Sequence, residues 1–381
     1  MAEGLPNVEG ELRVAALETR LLDIPLIRPH RFAVATMQTQ GVLLVRLVTE
    51  DGIVGWGEGV VPGGPWWGGE SVEGMAALVE RHLTPLVIGQ DVLRPEALSR
   101  RLERLVAGAP FARASVEMAV WDAAGRALGV PVHQLLGGVH RARLPVTWAL
   151  GAEPADAVVD EARRLLAEGR HASFKLKMGA APPDADVARV TAVATELAGA
   201  APLAVDLNGA WDEHTARRWL PGLAAAGVHL VEQPLPAANL SGLARLRERS
   251  GAAIMADESV WTPADALHVA RADAADVFAL KIGKSGGLSA VRRIAAIAEA
   301  AGVGCYGGTT IETSLGTAAS AHLFCATAAL GHGTELFGPL LLDDDIATVA
   351  VRYEDGDLVL GTGPGFGITV DEEKVQKYAR R

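Results

Sequence analysis

Cysteine is almost missing from this chain. Cys305 and Cys325 are too few for a disulfide framework, and their apolar surroundings mark them as buried, inert thiols. Positive charge is in deficit: 35 lysines and arginines against 46 aspartates and glutamates give a formal charge of -11, which argues against nucleic acid as a partner. No apolar run reaches the roughly 18 residues that a membrane span needs. The start, "MAEGLPNVEGELRV", has no basic stretch ahead of an apolar one, so no leader peptide is expected. No G-x-G-x-x-G turn and no low-complexity segment stands out. These absences point to a cytoplasmic protein with neither membrane nor nucleic-acid partners.

What the chain does have is apolar content. Hydrophobic residues make up 49% and charged residues 21%, the balance of a compact protein, and 381 residues exceed what one core usually organises. Residues 12–60 read as strands, with hairpin chemistry at "EDG", and residues 71–136 read as helices, for example "RASVEMAVWDAAGRALG". From about residue 144 short apolar strands alternate with helical stretches: "LPVTWAL", "ASFKLKM", "APLAVDL", "GVHLVEQP", "AAIMADES", "DVFALKIG", "GVGCYGG" and "GTELFG". Eight strands at this spacing predict an α/β architecture, a parallel barrel with its helices outside; an open doubly wound sheet is the alternative, and it lacks its glycine signature here. After residue 345 the alternation stops, and "VRYEDGDLVLGTGPGFGITVDEEKV" is expected to return to the first module. The expected division is thus an α+β capping domain over 1–137, a barrel over 138–345 and a returning segment over 346–381.

The ends of the barrel strands are chemically unusual. Asp206, Glu232, Asp257 and Lys281 follow one another at intervals of 26, 25 and 24 residues, each one strand-plus-helix unit. In a barrel such positions share one rim, where active sites gather. A single strand-end carboxylate often only caps the next helix. Three on consecutive strands converge, and convergent carboxylates repel unless a cation sits among them. Hard oxygen ligands favour Mg2+ or Mn2+ over zinc, so Asp206, Glu232 and Asp257 are the expected metal ligands. In "SFKLKMG", Lys175 and Lys177 share one side of a strand, because side chains alternate. Phe174, Leu176 and Met178 then face the helices and both lysines face the barrel mouth, with Lys281 across from them. Nearby cations are expected to push a lysine's pKa down, toward acid/base use. Lys284 is read as fixing the turn that follows.

In this order "KLK", "DLN", "EQP", "ADES" and "LKIGKSGG" resemble the muconate-lactonizing branch of the enolase superfamily, and "RPHRFAVATM", "GWGEG", "YGGTT" and "GTELFGPLLL" resemble its muconate cycloisomerases. The resemblance covers nearly the whole chain. It implies a modified (β/α)7β TIM-type barrel under an α+β cap, one Mg2+ or Mn2+ per subunit, and a homo-oligomer, commonly an octamer. Lys177 and Lys281 would act as acid/base groups, with Lys175 tuning Lys177. Asn208 and Glu258 would support the site, and Glu312 would point into it. The implied reaction interconverts cis,cis-muconate, a small dicarboxylate, and a muconolactone. Two cap loops would close over the mouth: Arg28, His30 or Arg31 would meet a carboxylate, and Trp66 and Trp67 would form an apolar wall. Thr310 and Thr313 stand where the family commonly has methionine and glycine. Chloromuconate cycloisomerase, N-acylamino-acid racemase, o-succinylbenzoate synthase and dipeptide epimerase are the neighbouring alternatives, though the epimerases' Asp-x-Asp is missing from "GTELFGP". A noncatalytic binding barrel would have lost a ligand or a lysine, and none is lost.

Overall fold

The computed structural model describes residues 11–32, 35–151 and 153–380. The first ten residues, read above for a leader, and Ala33 and Val34 of a capping loop lie outside them.

The cap begins with an antiparallel meander, β1 (Val14–Arg31), β2 (Thr36–Thr49) and β3 (Val54–Val60). Alternation sorts β2 into two faces. Leu43, Val45 and Leu47 pack with the cap's own helices, while Val42 and Leu44 join the core that runs on into the barrel. The long helix Pro110–Leu128 lies directly on β3. The glycines of "GWGEG" explain the close approach: a Cβ on Gly57 would run into the Ser115 carbonyl, and one on Gly55 into that of Ala119. This helix also bolts the cap to the barrel. Glu117 Oε1 accepts the Ser289 N–H (3.1 Å) at the start of the barrel helix Leu288–Ala301. Asp122 accepts the Trp56 and Phe366 N–H groups at 2.9 and 2.8 Å.

A short strand, β4 (Arg143–Pro145), leads into eight parallel strands. They are β5 (Trp148–Leu150), β6 (Phe174–Lys177), β7 (Leu203–Asp206), β8 (Val228–Glu232), β9 (Ala253–Ala256), β10 (Val277–Leu280), β11 (Gly304–Gly307) and β12 (Leu330–Thr334). They pair in sequence order, and the sheet curls until Thr147 N–H donates to the Thr334 carbonyl at 2.7 Å. Helices such as Ala155–Ala167, Glu213–Ala225 and Leu288–Ala301 cover the outside. Ala204, Leu230, Met255, Val277, Ala279 and Tyr306 fill the interior below the rim. Phe174, Leu176 and Met178 belong to the outer core, so β6 turns Lys175 and Lys177 inward.

Two elements differ from the sequence reading. "LPVTWAL" is broken at Val146–Thr147: its first half is β4, which pairs outside the barrel, and only its second half is a barrel strand. The eighth strand ends at Thr334, so most of "GTELFG" lies past it, on the rim. The last segment forms β13 (Ala347–Val349), β14 (Arg352–Glu354), β15 (Asp357–Val359) and β16 (Thr369–Val370). β15 pairs with β4, and the chain then reaches the cap, where the Arg380 guanidinium holds Asp23 at 2.6 Å. Among the described residues no helix is long and apolar enough to cross a membrane.

Candidate active site

The rim residues come from successive strand ends in register: Lys177 lies beside Asp206, and Asp206 beside Glu232. All are buried. Burial forces each charge to find a partner. Lys175 Nζ donates to Glu232 Oε2 at 2.6 Å and also pairs with Glu335. Lys177 pairs with Asp206, and Lys281 Nζ donates to Asp257 Oδ2 at 2.6 Å. Lys284 goes beyond fixing a turn: its ammonium donates to Asp257 Oδ1 and to the Asp257 carbonyl, both at 2.7 Å.

These pairs revise the expected electrostatics. Burial alone would depress the Lys281 ammonium, but Asp257, Glu232 and Glu335 outweigh it and hold its pKa above the ordinary value; Lys175 is raised in the same way by Glu232, Glu335 and Asp206. Of the rim lysines with a clear shift only Lys284 moves downward, through burial. The carboxylates were expected to converge, and among the described residues no three His, Cys, Asp or Glu side chains gather closely enough to hold an ion, because each acid leans on an ammonium. The donor set still suits a hard cation. Burial pushes Glu232 up to about 8, with Asp206, Glu335 and Asp257 adding to the rise, and its Oε1 is buried without a partner. A dication among these oxygens would reverse that penalty.

Above the acids lies a cleft with Lys177 and Lys281 in its walls. The two lysines stand on strands four places apart, β6 and β10. His30 lines the cleft at 1% exposure; its Nδ1 has no partner, and its pKa is lowered by burial and by Lys177. Trp66 and Trp67 line the cleft as well, with Phe32 packed between His30 and Trp66. Trp67 Nε1 donates to Glu258 Oε1 (2.8 Å), which also accepts from Asn208 Nδ2 (2.9 Å), and Lys281 Nζ sits 4.6 Å from the Trp67 ring centre. Asn208 therefore reaches the cleft, with Glu258 behind it.

Two expected residues lie elsewhere. Arg28 is turned away, donating to the Ala149 carbonyl at 3.0 Å and to Glu161 at 3.3 Å, so it does not line the cleft. Glu312 does not point into it either; its carboxylate is taken up by Thr309 and Thr310. Glu335, Phe32, Ile311 and Phe337 do line it and were not singled out. Glu335 carried a signal: it is the acidic residue at the end of the eighth strand.

The N-terminal domain model of the mandelate racemase and muconate lactonizing enzymes matches residues 16–137, and an enolase C-terminal domain-like model matches residues 157–374. A muconate cycloisomerase 1 of Rhodococcus opacus is 50% identical over 97% of this chain and 99% of its own. A chloromuconate cycloisomerase of Cupriavidus pinatubonensis is 44% identical over 94% of this chain and 97% of its own. The crystal structure of muconate lactonizing enzyme from Pseudomonas fluorescens, complexed with muconolactone, superposes with a TM-score of 0.96 at 44% identity, covering 97% of this chain and 100% of that one. With two matched domains, full-length relatives and the same fold, the chain belongs to the muconate-lactonizing, or muconate cycloisomerase, family of the enolase superfamily.

Proposed function

We propose that this isomerase interconverts cis,cis-muconate and a muconolactone. The observation that carries the reading is the pair Lys177 and Lys281, placed on opposite sides of one cleft above a floor of buried carboxylates. In the forward direction one substrate carboxylate adds across the conjugated double bond, and negative charge gathers on the other carboxylate. Asp206, Glu232 and Asp257 would hold Mg2+ or Mn2+, which when bound lowers the cost of that charge. The chain's own part is to orient and to move a proton. Lys177 or Lys281 donates to the carbon next to the charged carboxylate, and in reverse the same amine removes that proton. The cap closes the cleft with His30, Trp66 and Trp67.

The test is lactonization of cis,cis-muconate in deuterated water with added Mn2+, and then with Mg2+, following the product by NMR. One deuterium at the α-carbon is expected, and its face identifies the donating lysine. Full turnover without deuterium in the product would overturn the proton-transfer scheme. A 2-chloromuconate arm decides which muconate is preferred. Trp67→Ala removes apolar wall and the ring beside Lys281. It is expected to raise KM about tenfold with metal affinity unchanged, checked by steady-state kinetics and calorimetric Mn2+ titration.

A further inference from the structure

Ile311 lines the cleft with φ of 64°. A β-branched residue keeps this left-handed conformation only when its surroundings over-determine it. Two buried carboxylates do so. Glu312 Oε1 accepts the Thr310 N–H (2.9 Å) and hydroxyl (2.7 Å), its Oε2 accepts the Thr309 hydroxyl, and Thr309 Oγ1 accepts the Ile311 N–H at 2.9 Å. On the other side Glu58, from β3 of the cap, accepts the Thr313 N–H at 2.9 Å and pairs with the Thr313 hydroxyl. The two acids meet across Gly316, where a Cβ would fall 2.5 Å from Glu58 Oε1 and 2.9 Å from Glu312 Cγ.

We infer that Glu58 is a positioning residue: reaching from the capping domain through Thr313, it fixes the Thr309–Ile311 wall and so sets how closely the substrate fits. Glu58 touches no reacting atom; it acts through the loop. Burial pushes its carboxyl up to about 8, with the Thr313 hydroxyl drawing it down and Glu312 and Asp345 raising it. The neutral amide of a glutamine can serve the same two Thr313 groups, its oxygen accepting the N–H and its NH2 facing the hydroxyl.

The inference rests on the lactonization reading, so its test needs two readouts. In the Mn2+-loaded full chain, Glu58→Ala is expected to raise the KM for cis,cis-muconate about tenfold and to change kcat less than about threefold, while Glu58→Gln stays within about twofold of wild type in both. In the same Ala variant the amides of Thr310, Ile311 and Thr313 are expected to exchange hydrogen at least about tenfold faster, with the amides of β6–β10 unchanged. Should Glu58→Ala fail to fold, Thr313→Ala is measured instead, with about a threefold rise in KM and the same local gain in exchange. Wild-type KM and unchanged exchange in whichever variant folds would overturn the inference, as would equal defects in the Ala and Gln variants. An inactive wild-type enzyme would sink the lactonization reading alone, and the exchange data would still decide the role of Glu58.

Discussion

Replacing either Lys177 or Lys281 with alanine is expected to cut lactonization about 10³-fold, within the range that general acid/base groups contribute. Both amines line the cleft and both are positioned by charge: Lys177 on Asp206, and Lys281 at 2.6 Å from Asp257. Only one of them can face the carbon that receives the proton, and the other lies beside the opposite face of the substrate. The two variants should therefore differ in kind. Loss of the donor is expected to suppress deuterium exchange at the α-carbon of muconolactone along with turnover. Loss of the opposing amine lowers turnover through poorer stabilisation of the negative charge and leaves slow exchange. The measurement is steady-state kinetics with NMR of exchange for both variants. Wild-type rates in both would remove the lysines from the reaction.

The second large effect is on folding. Asp257→Ala is expected to cost about 3–5 kcal/mol, because removing one partner of a buried ion pair strands the other. Here two ammonium groups are stranded. The Lys281 side chain is 7% exposed and the Lys284 side chain 0%, and Asp257 holds one with each carboxylate oxygen. The Lys284 ammonium keeps only carbonyl acceptors, among them Ala279 O at 3.0 Å, which do not neutralise it. Urea unfolding with a chelator present isolates this cost from any loss of metal binding. A change under about 1 kcal/mol would mean that the ammonium groups relax to solvent or lose their protons at little cost. In that case the double variant Asp257→Ala with Lys284→Met should be no more stable than the single one.

Much of this was legible in the chain, for identifiable reasons. Asp206, Glu232, Asp257 and Lys281 recur once per strand-plus-helix unit, and a repeat in one dimension becomes a ring in a barrel. The alternation of Lys175 and Lys177 with apolar residues fixed their inward direction in the same way. Glu335 stayed hidden because the end of β12 was placed too late, which put the residue inside a strand when it stands on the rim. Arg28 was misplaced because a charge on a strand that runs into a loop has no periodicity; its partner Glu161 lies 133 residues away. Glu312 failed in a related way. Its neighbours Thr309 and Thr310 are close in sequence, yet whether a carboxylate turns to them or to a cleft depends on the cap, whose Glu58 meets Thr313 across 255 residues. The raised pKa values of Lys175 and Lys281 were not legible, because the sequence counts charges without saying which of them touch.

The joints between cap and barrel have a kinetic corollary. Glu117 on Ser289 and Glu58 on Thr313 are carboxylates sunk in the seam, each holding a main-chain amide from the barrel side. A clamshell swing would unmake both together and leave their acids without partners. Traffic in and out must then pass by small displacements at the lip, around Phe32 and Trp66, so that residence time becomes a property of a few side chains there and not of a hinge.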